Sequence, residues 1–261
     1  MVRPKKSLGQ HFLKDQNIAM KIVDALESAA LPVLEIGPGT GMLTQLLLNR
    51  KGIQLKLAEI DRDSVAYLRE HYPGLRESIL EGDFLKMDLS PVYPGDFCII
   101  GNFPYNISSQ IFFRVLDYRH QVKEVVCMLQ KEVAERIAAP HGSKTYGILS
   151  VLLQAYYDIK LLFRVPPGVF FPPPKVMSAV IRMTRNKSEH LDCDEKLFQK
   201  VVKQAFQMRR KTLRNALKSL NLPAFIIALP VLDKRAEQLA VEEFIVLTKL
   251  IGNSREGVRN I

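Results

Sequence analysis

Apolar positions along the chain recur with two different periods. Ile18, Ile22, Val23 and Leu26 fall on one face of a 3.6-residue spiral, and Asp15 stands just ahead of them as a side-chain cap. The pattern predicts a helix over residues 15–28. Beyond it, short apolar runs alternate with amphipathic stretches. Strands are expected at 33–36, 54–60, 78–80, 97–100, 124–129, 159–164 and 179–183, and helices at 40–50, 62–71, 109–116, 131–138 and 146–157. Alternation of this kind places helices over both faces of a mostly parallel sheet, the α/β class. The last two strands flank a proline-rich segment, 165–175, and are expected to pair as an antiparallel hairpin at one sheet edge. The rhythm breaks in the polar run RNKSEHLDCDE (185–195), which reads as a linker. Past it, Leu197, Val201, Ala205, Met208 and Leu213 predict one long helix, Asp233 caps a short one, and 241–251 forms another. Two domains follow: residues 1–186, and a small all-helical domain over 187–261.

Composition changes this picture little, and charge changes it more. Of the 261 residues, 47% are hydrophobic and 25% charged, as in ordinary globular proteins. No apolar run approaches the roughly 18 residues needed to cross a bilayer. The basic N-terminus lacks the apolar core of a secretory signal, so a cytoplasmic protein is expected. Cys98, Cys127 and Cys193 are few and widely spaced, which suggests neither a disulfide framework nor a metal site. The net charge of +10 is unevenly spread. Residues 1–14 carry Arg3, Lys5, Lys6 and Lys14 with no acid. Residues 196–218 carry Lys196, Lys200, Lys203, Arg209, Arg210, Lys211, Arg214 and Lys218, again with no acid. Clustering of this sort is the footprint of a phosphate-binding surface.

Three candidate features stand at the ends of successive strands. The first is Glu35-Ile36-Gly37-Pro38-Gly39-Thr40-Gly41, between a strand and a helix, where glycine lets backbone approach a ligand. Its G-x-G-x-G spacing, with no Lys-Ser/Thr after it, departs from the nicotinamide and P-loop signatures. The second is Glu59, about 20 residues on, placed to accept ribose hydroxyls. The third is Asp83, placed to accept the amine of an adenine. Together they point to a nucleoside cofactor.

The fourth strand leads into Gly101-Asn102-Phe103-Pro104-Tyr105-Asn106, which matches the Asn-x-Pro-Tyr motif of methyltransferases acting on planar amino groups. An adenine amine is a poor nucleophile because its lone pair is delocalised into the ring. The Asn102 side-chain oxygen and the Phe103 carbonyl can each accept one amine hydrogen, localising that pair and aiming it at a methyl group. Pro104 stiffens the turn, and Tyr105 offers a stacking face. Phe170 and Phe171, in FFPPPK, are candidates for a second wall of a base pocket.

The blocks SLGQHFLKD, EIGPGTGMLT, EID, GDF, GNFPYNIS, VFFPPPKVMS, FQMRRKTLRNAL and RAEQLAVEEF run in order through nearly the whole chain. On them, the chain resembles the ribosomal RNA adenine N(6),N(6)-dimethyltransferases, the family of the bacterial small-subunit dimethyladenosine transferase of the kasugamycin-resistance type. The resemblance implies a Rossmann-like S-adenosylmethionine (SAM)-dependent catalytic domain and a C-terminal helical domain that binds RNA or the ribosome. It implies dimethylation of two adjacent adenosines near the 3′ end of 16S RNA in the small ribosomal subunit, with a role in subunit biogenesis, by a monomer. Carried over by position, SAM contacts fall on His11, Leu13, Gly37, Glu59, Asp83 and Asn102. Tyr105 and Phe170 flank the target base, and Arg209, Arg210 and Lys211 look like a phosphate-contacting helix. The family often has Asn in place of His11, and Leu or Pro in place of Phe103. A large-subunit RNA methyltransferase, a DNA adenine methyltransferase and an assembly factor with secondary catalysis are the competing readings; FQMRRKTLRNAL and RAEQLAVEEF favour the small-subunit branch.

Overall fold

The computed structural model describes residues 2–28 and 30–259, with side chains described to residue 254. The chain divides into two compact units, one of residues 1–134 and 158–185, the other of 135–157 and 186–261. A single boundary at 186/187 was expected. The second unit does take up the chain at Asn186, but it also includes 135–157, which the linear reading left in the first. Amphipathic segments between strands look alike in sequence whichever core they join.

Among the described residues the first unit contains nine strands: β1 (Phe12–Leu13), β2 (Val33–Ile36), β3 (Leu55–Glu59), β4 (Ile79–Glu81), β5 (Phe97–Asn102), β6 (Val122–Gln130), β7 (Tyr157–Val165, from its second residue), β8 (Phe170–Phe171) and β9 (Ser178–Arg185). Seven form one sheet in the order β4-β3-β2-β5-β6-β9-β7. Strands β4 through β6 are parallel, and β9 runs antiparallel to β6. The expected neighbours β7 and β9 are adjacent, with β7 at the edge and β9 inserted beside β6. The central strands read as continuous apolar runs because both faces are covered: all of Val33–Ile36 is buried, as are Phe97–Gly101. The order reverses between β2 and β5, and a crevice for a ligand opens at such a point, beyond the carboxyl ends of the strands.

Helices α1 (Gln16–Asp24), α2 (Met42–Leu47), α3 (Arg62–His71) and α4 (Ser108–Asp117) belong to this unit. Asp15 caps α1 as expected, accepting from the Ile18 N–H at 3.0 Å. The helix stops at Asp24 instead of reaching 28. The Glu27 and Ser28 N–H groups donate to the buried Glu124 carboxylate at 3.0 and 2.7 Å, and Arg50 donates to the carbonyls of Val23 and Leu26. Distant polar groups thus take the backbone bonds that another helical turn would have used. Similarly, α2 begins only after Gly41, which sits in the left-handed region at φ 83°.

The second unit is helical. It contains the end of α5 (Lys131–Ile137), together with α6 (Ile148–Gln154), α7 (Glu195–Gln207), α8 (Leu213–Ala216), α9 (Ala224–Ile227) and α10 (Val241–Arg259). Phe198, Val201, Val202, Ala205 and Phe206 form the buried stripe of α7, and Phe206 stacks on Phe244 of α10 with ring centroids 6.0 Å apart. The long helix expected through Leu213 ends at Gln207. Arg209 donates to the carbonyls of Lys144 and Tyr146 at 2.6 and 3.3 Å, and the Leu213 N–H donates to Lys234 at 2.8 Å. These tertiary bonds hold a turn where the apolar spacing alone continued the helix. Asp233 does not cap a helix. It ends a 3-10 turn, Pro230–Asp233, and accepts from Arg214 at 2.7 and 3.0 Å.

Gly101 is buried in β5, where a Cβ would stand 2.5 Å from the Ile36 carbonyl oxygen. That oxygen is backbone and cannot move aside. Gly101→Ala is expected to destabilise the protein by about 1–3 kcal/mol, the usual range for overpacking, seen as a lower urea midpoint. An unchanged midpoint would show that the two strands separate freely.

Candidate active site

The site lies at the carboxyl ends of β2, β3, β4 and β5. After β2 the chain turns through Gly37, Gly39 and Gly41, with φ of 65°, 57° and 83°, a region side chains other than glycine rarely enter. At Gly39 the approach is also close: a Cβ would stand 2.8 Å from the Phe12 ring. A cavity of about 270 Å³ opens here, bounded by residues 7–12, Ile36, Gly37, Gly39, and residues 58–60, 82–85 and 102–107.

Eight of the expected residues line this cavity: His11, Gly37, Glu59, Asp83, Asn102, Phe103, Pro104 and Tyr105. Two do not. Leu13 is buried and pairs with Phe170 in the β1–β8 ladder; it borders only a 30 Å³ void beside Gly37 and Asn102. Phe170, expected to flank a base, is 1% exposed and packs in the core. Its neighbour Phe171 is 57% exposed instead, because successive residues of a strand face opposite ways.

Asn102 is the last residue of β5. Its Nδ2 donates to the His11 carbonyl at 2.8 Å. That bond fixes which end of the amide is nitrogen and leaves Oδ1 as an unspent acceptor. Phe103 is tied down at both ends: its N–H donates to Met128 at 2.9 Å, and its buried ring meets Phe112 edge-on at 5.8 Å. The Tyr105 hydroxyl bonds Ser178 Oγ at 2.5 Å, and burial raises its pKa, with that bond partly opposing. The His11 ring lies 5.4 Å from the Tyr105 ring, tilted by 32°. His11 Nδ1 is 2.7 Å from the Pro172 carbonyl. A carbonyl only accepts, so the proton sits on Nδ1.

On the opposite side, Glu59 is 4% exposed. Its Oε1 accepts from the N–H groups of Ile60 and Asp61, both at 2.9 Å, and Oε2 accepts from Gly39 at 3.1 Å. Burial pushes its carboxyl above the usual range, while the three backbone donors oppose that shift. Asp83 Oδ1 caps the following turn by accepting from Leu85 N–H at 3.0 Å. Glu35, in the glycine-loop motif, faces Thr44 rather than the larger cavity, accepting from its hydroxyl at 2.7 Å.

The chain matches the family model described as ribosomal RNA adenine dimethylase over residues 1–251. It belongs to the ribosomal RNA adenine dimethylase family. It is 60% identical over 252 residues to the ribosomal RNA small subunit methyltransferase A of Cytophaga hutchinsonii, covering 96% of this chain and 98% of that one. Identity to the protein of the same name from Parabacteroides distasonis is also 60%, over 95% and 94% of the two chains. Among solved structures it resembles a dimethyladenosine transferase from Plasmodium falciparum, with TM-score 0.77, 26% identity and coverage of 95% and 98%. It also resembles the 23S rRNA methyltransferase ErmE, with TM-score 0.65, 25% identity and coverage of 91% and 99%. The Rossmann-like methyltransferase fold implied by the resemblance is therefore the observed one.

An adenine dimethylase of this family uses SAM, and the residues present suit it. Gly37 has open space where a Cβ would stand, Oε2 of Glu59 keeps acceptor capacity, and Ile36, Ala58, Ile60 and Phe84 give the cavity apolar walls.

The residues that sequence reasoning missed are Lys5, Gln10 and Asp61. Lys5 was counted with a basic cluster, but its Nζ pairs with Asp61 and lies 2.8 Å from Asp63. Gln10 Nε2 donates to Asp61 Oδ2 at 3.1 Å. Gln10 and Asp61 each stand in a recognised block, yet no spacing rule joins side chains 51 residues apart. Arg209, Arg210 and Lys211 belong to the second unit, where they are exposed in the turn after α7 and not on a helix.

Burial raises Glu35 to about 8; the Thr44 bond opposes this and the Glu59 charge adds to it. A carboxyl with a raised folded-state pKa contributes stability that is complete below its unfolded value of 4.5 and is lost as pH rises through about 8. Glu35→Gln keeps an acceptor for Thr44 and has no proton to lose. The variant should gain on the native chain in thermal melts between about pH 5 and about pH 8. A difference constant with pH would mean that Glu35 is already ionised.

Proposed function

We propose that the chain dimethylates the 6-amino groups of two adjacent adenosines near the 3′ end of small-subunit (16S) ribosomal RNA, as a cytoplasmic monomer that contributes to subunit biogenesis. The observation that carries this reading is the bond from Asn102 Nδ2 to the His11 carbonyl, which commits the amide nitrogen and reserves Oδ1 for an incoming amine.

SAM, when bound, supplies an electrophilic methyl group on a sulfonium. Gly37, Glu59 and Asp83 hold it: the glycine loop by backbone approach, Glu59 by accepting ribose hydroxyls, Asp83 by accepting the adenine amine. Backbone at His11 and Asn102 completes the cradle. Asn102 Oδ1 and the Phe103 carbonyl accept the two hydrogens of the target amine. Those bonds draw the lone pair out of conjugation with the ring and orient it, so the gain comes from positioning and preorganised dipoles. Pro104 keeps the turn rigid. Tyr105 gives the base a stacking surface, and its hydroxyl bond to Ser178 keeps the ring from swinging.

Arg210 and Lys211 are the phosphate contacts of this reading. Arg209 takes part less, since its guanidinium is engaged with the Lys144 and Tyr146 carbonyls. The names of the relatives at 60% identity support the small subunit over the large one as the substrate.

Incubation with methyl-labelled SAM and unmethylated small subunits, followed by nuclease digestion, should place label on adenine. Label elsewhere overturns the reading. Asn102→Ala should lower the single-turnover rate by about 10²–10³-fold, the usual cost of removing one preorganised polar group. Arg210→Glu combined with Lys211→Glu should weaken RNA binding and reduce the salt slope by roughly two counterions. An unaltered slope would remove both residues from the interface.

A further inference from the structure

Residues 5–12 form a strap, of which 7–12 line one side of the cavity, and one buried carboxylate anchors it. Asp61 is the N-cap of α3, and its side chain is 0% exposed. It receives the Lys5 ammonium on Oδ1 and the Gln10 amide on Oδ2 at 3.1 Å. The strap is closed on itself, because the Lys5 N–H donates to Gln10 Oε1 at 2.8 Å. The residue after Gln10 is His11, whose carbonyl holds the Asn102 amide. On the other side, the Asp61 N–H donates to Glu59 Oε1 at 2.9 Å. Asp61 therefore touches the carboxylate assigned to the cofactor ribose through its backbone, and the strap that orients the catalytic carboxamide through its side chain. Burial alone would raise the Asp61 carboxyl; the bonds from Lys5 and Gln10 hold it below its ordinary range, so it is anionic at neutral pH.

We propose that Asp61, with Lys5 and Gln10, is a positioning cluster for methyl transfer, setting the His11 carbonyl and hence the direction in which Asn102 presents Oδ1. The proposal rests on the adenine-methylation reading. It assigns Lys5 to catalysis through the strap, not to RNA phosphate, despite its place in the basic N-terminus. The cluster acts by geometry: with the strap loose, the Asn102 amide is free to rotate and offer its nitrogen to the amine, which repels rather than accepts its hydrogens.

The test avoids Asp61 itself, whose loss would also uncap α3. Lys5→Met and Gln10→Leu are compared with the native chain in single-turnover methylation of small subunits, alone and combined with Asn102→Ala. Each single variant should lower the rate about tenfold, on the scale of modest misplacement of a catalytic group, while KM for the subunit stays within about twofold. Lys5→Arg, which keeps the ion pair, should restore most of the rate. In the Asn102→Ala background, Lys5→Met and Gln10→Leu should cost nothing further, because no carboxamide remains to be oriented. A rate loss that persists undiminished in that background overturns the cluster's role, as does a loss confined to KM. A native chain that leaves adenine unlabelled overturns the methylation reading, and this proposal with it.

Discussion

A carboxamide has two ends, one that donates and one that accepts, and only the accepting end can help an aromatic amine become a nucleophile. The Asn102 amide has its donor end bonded to the His11 carbonyl. Much of the first unit bears on that one orientation. Strand β5 delivers Asn102 to the carboxyl edge of the sheet, and the anchored N–H and buried ring of Phe103 hold the next residue still. The strap brings a peptide oxygen to the one place where it can meet the amide nitrogen.

The opposite wall works by a related economy. Glu59 is nearly inaccessible, and among the described residues it accepts from three backbone N–H groups and no basic side chain. A basic partner would occupy lone pairs, whereas peptide donors are directional and leave acceptor capacity on Oε2 for the proposed ribose contact. The glycine loop contributes one of those donors because its left-handed turn places the Gly39 N–H within 3.1 Å. Glu35, 24 residues earlier in the chain, is bonded by Thr44 and held mostly neutral by burial, so two buried acids in one region do not both carry full charge.

The basic character of the chain divides between several tasks. Lys5 is neutralised by two aspartates, Arg50 and Arg209 donate to carbonyls, and Arg214 pairs with Asp233. A count of positive charges along the sequence overstates the surface offered to phosphate. Arg210 and Lys211 stand exposed in a turn, where long side chains can reach outward without breaking a helix face.

The sequence by itself determined every strand of the parallel sheet, the glycine loop, and eight residues of the cavity wall. These features are local: an apolar run buried on both faces, a left-handed glycine turn, and an Asn-x-Pro-Tyr tetrapeptide at a strand end can each be read within a few residues. Tertiary structure alone decided that α1 stops at Asp24 and α7 at Gln207, which core the segment 135–157 joins, and that Phe170 is buried while Phe171 is exposed. It also decided that Lys5 and Gln10 meet Asp61, and that the His11 carbonyl meets Asn102. Those outcomes depend on hydrogen bonds between groups 51 to 91 residues apart, and hydrophobic periodicity carries no information about which distant donor a buried carboxylate or peptide oxygen will find.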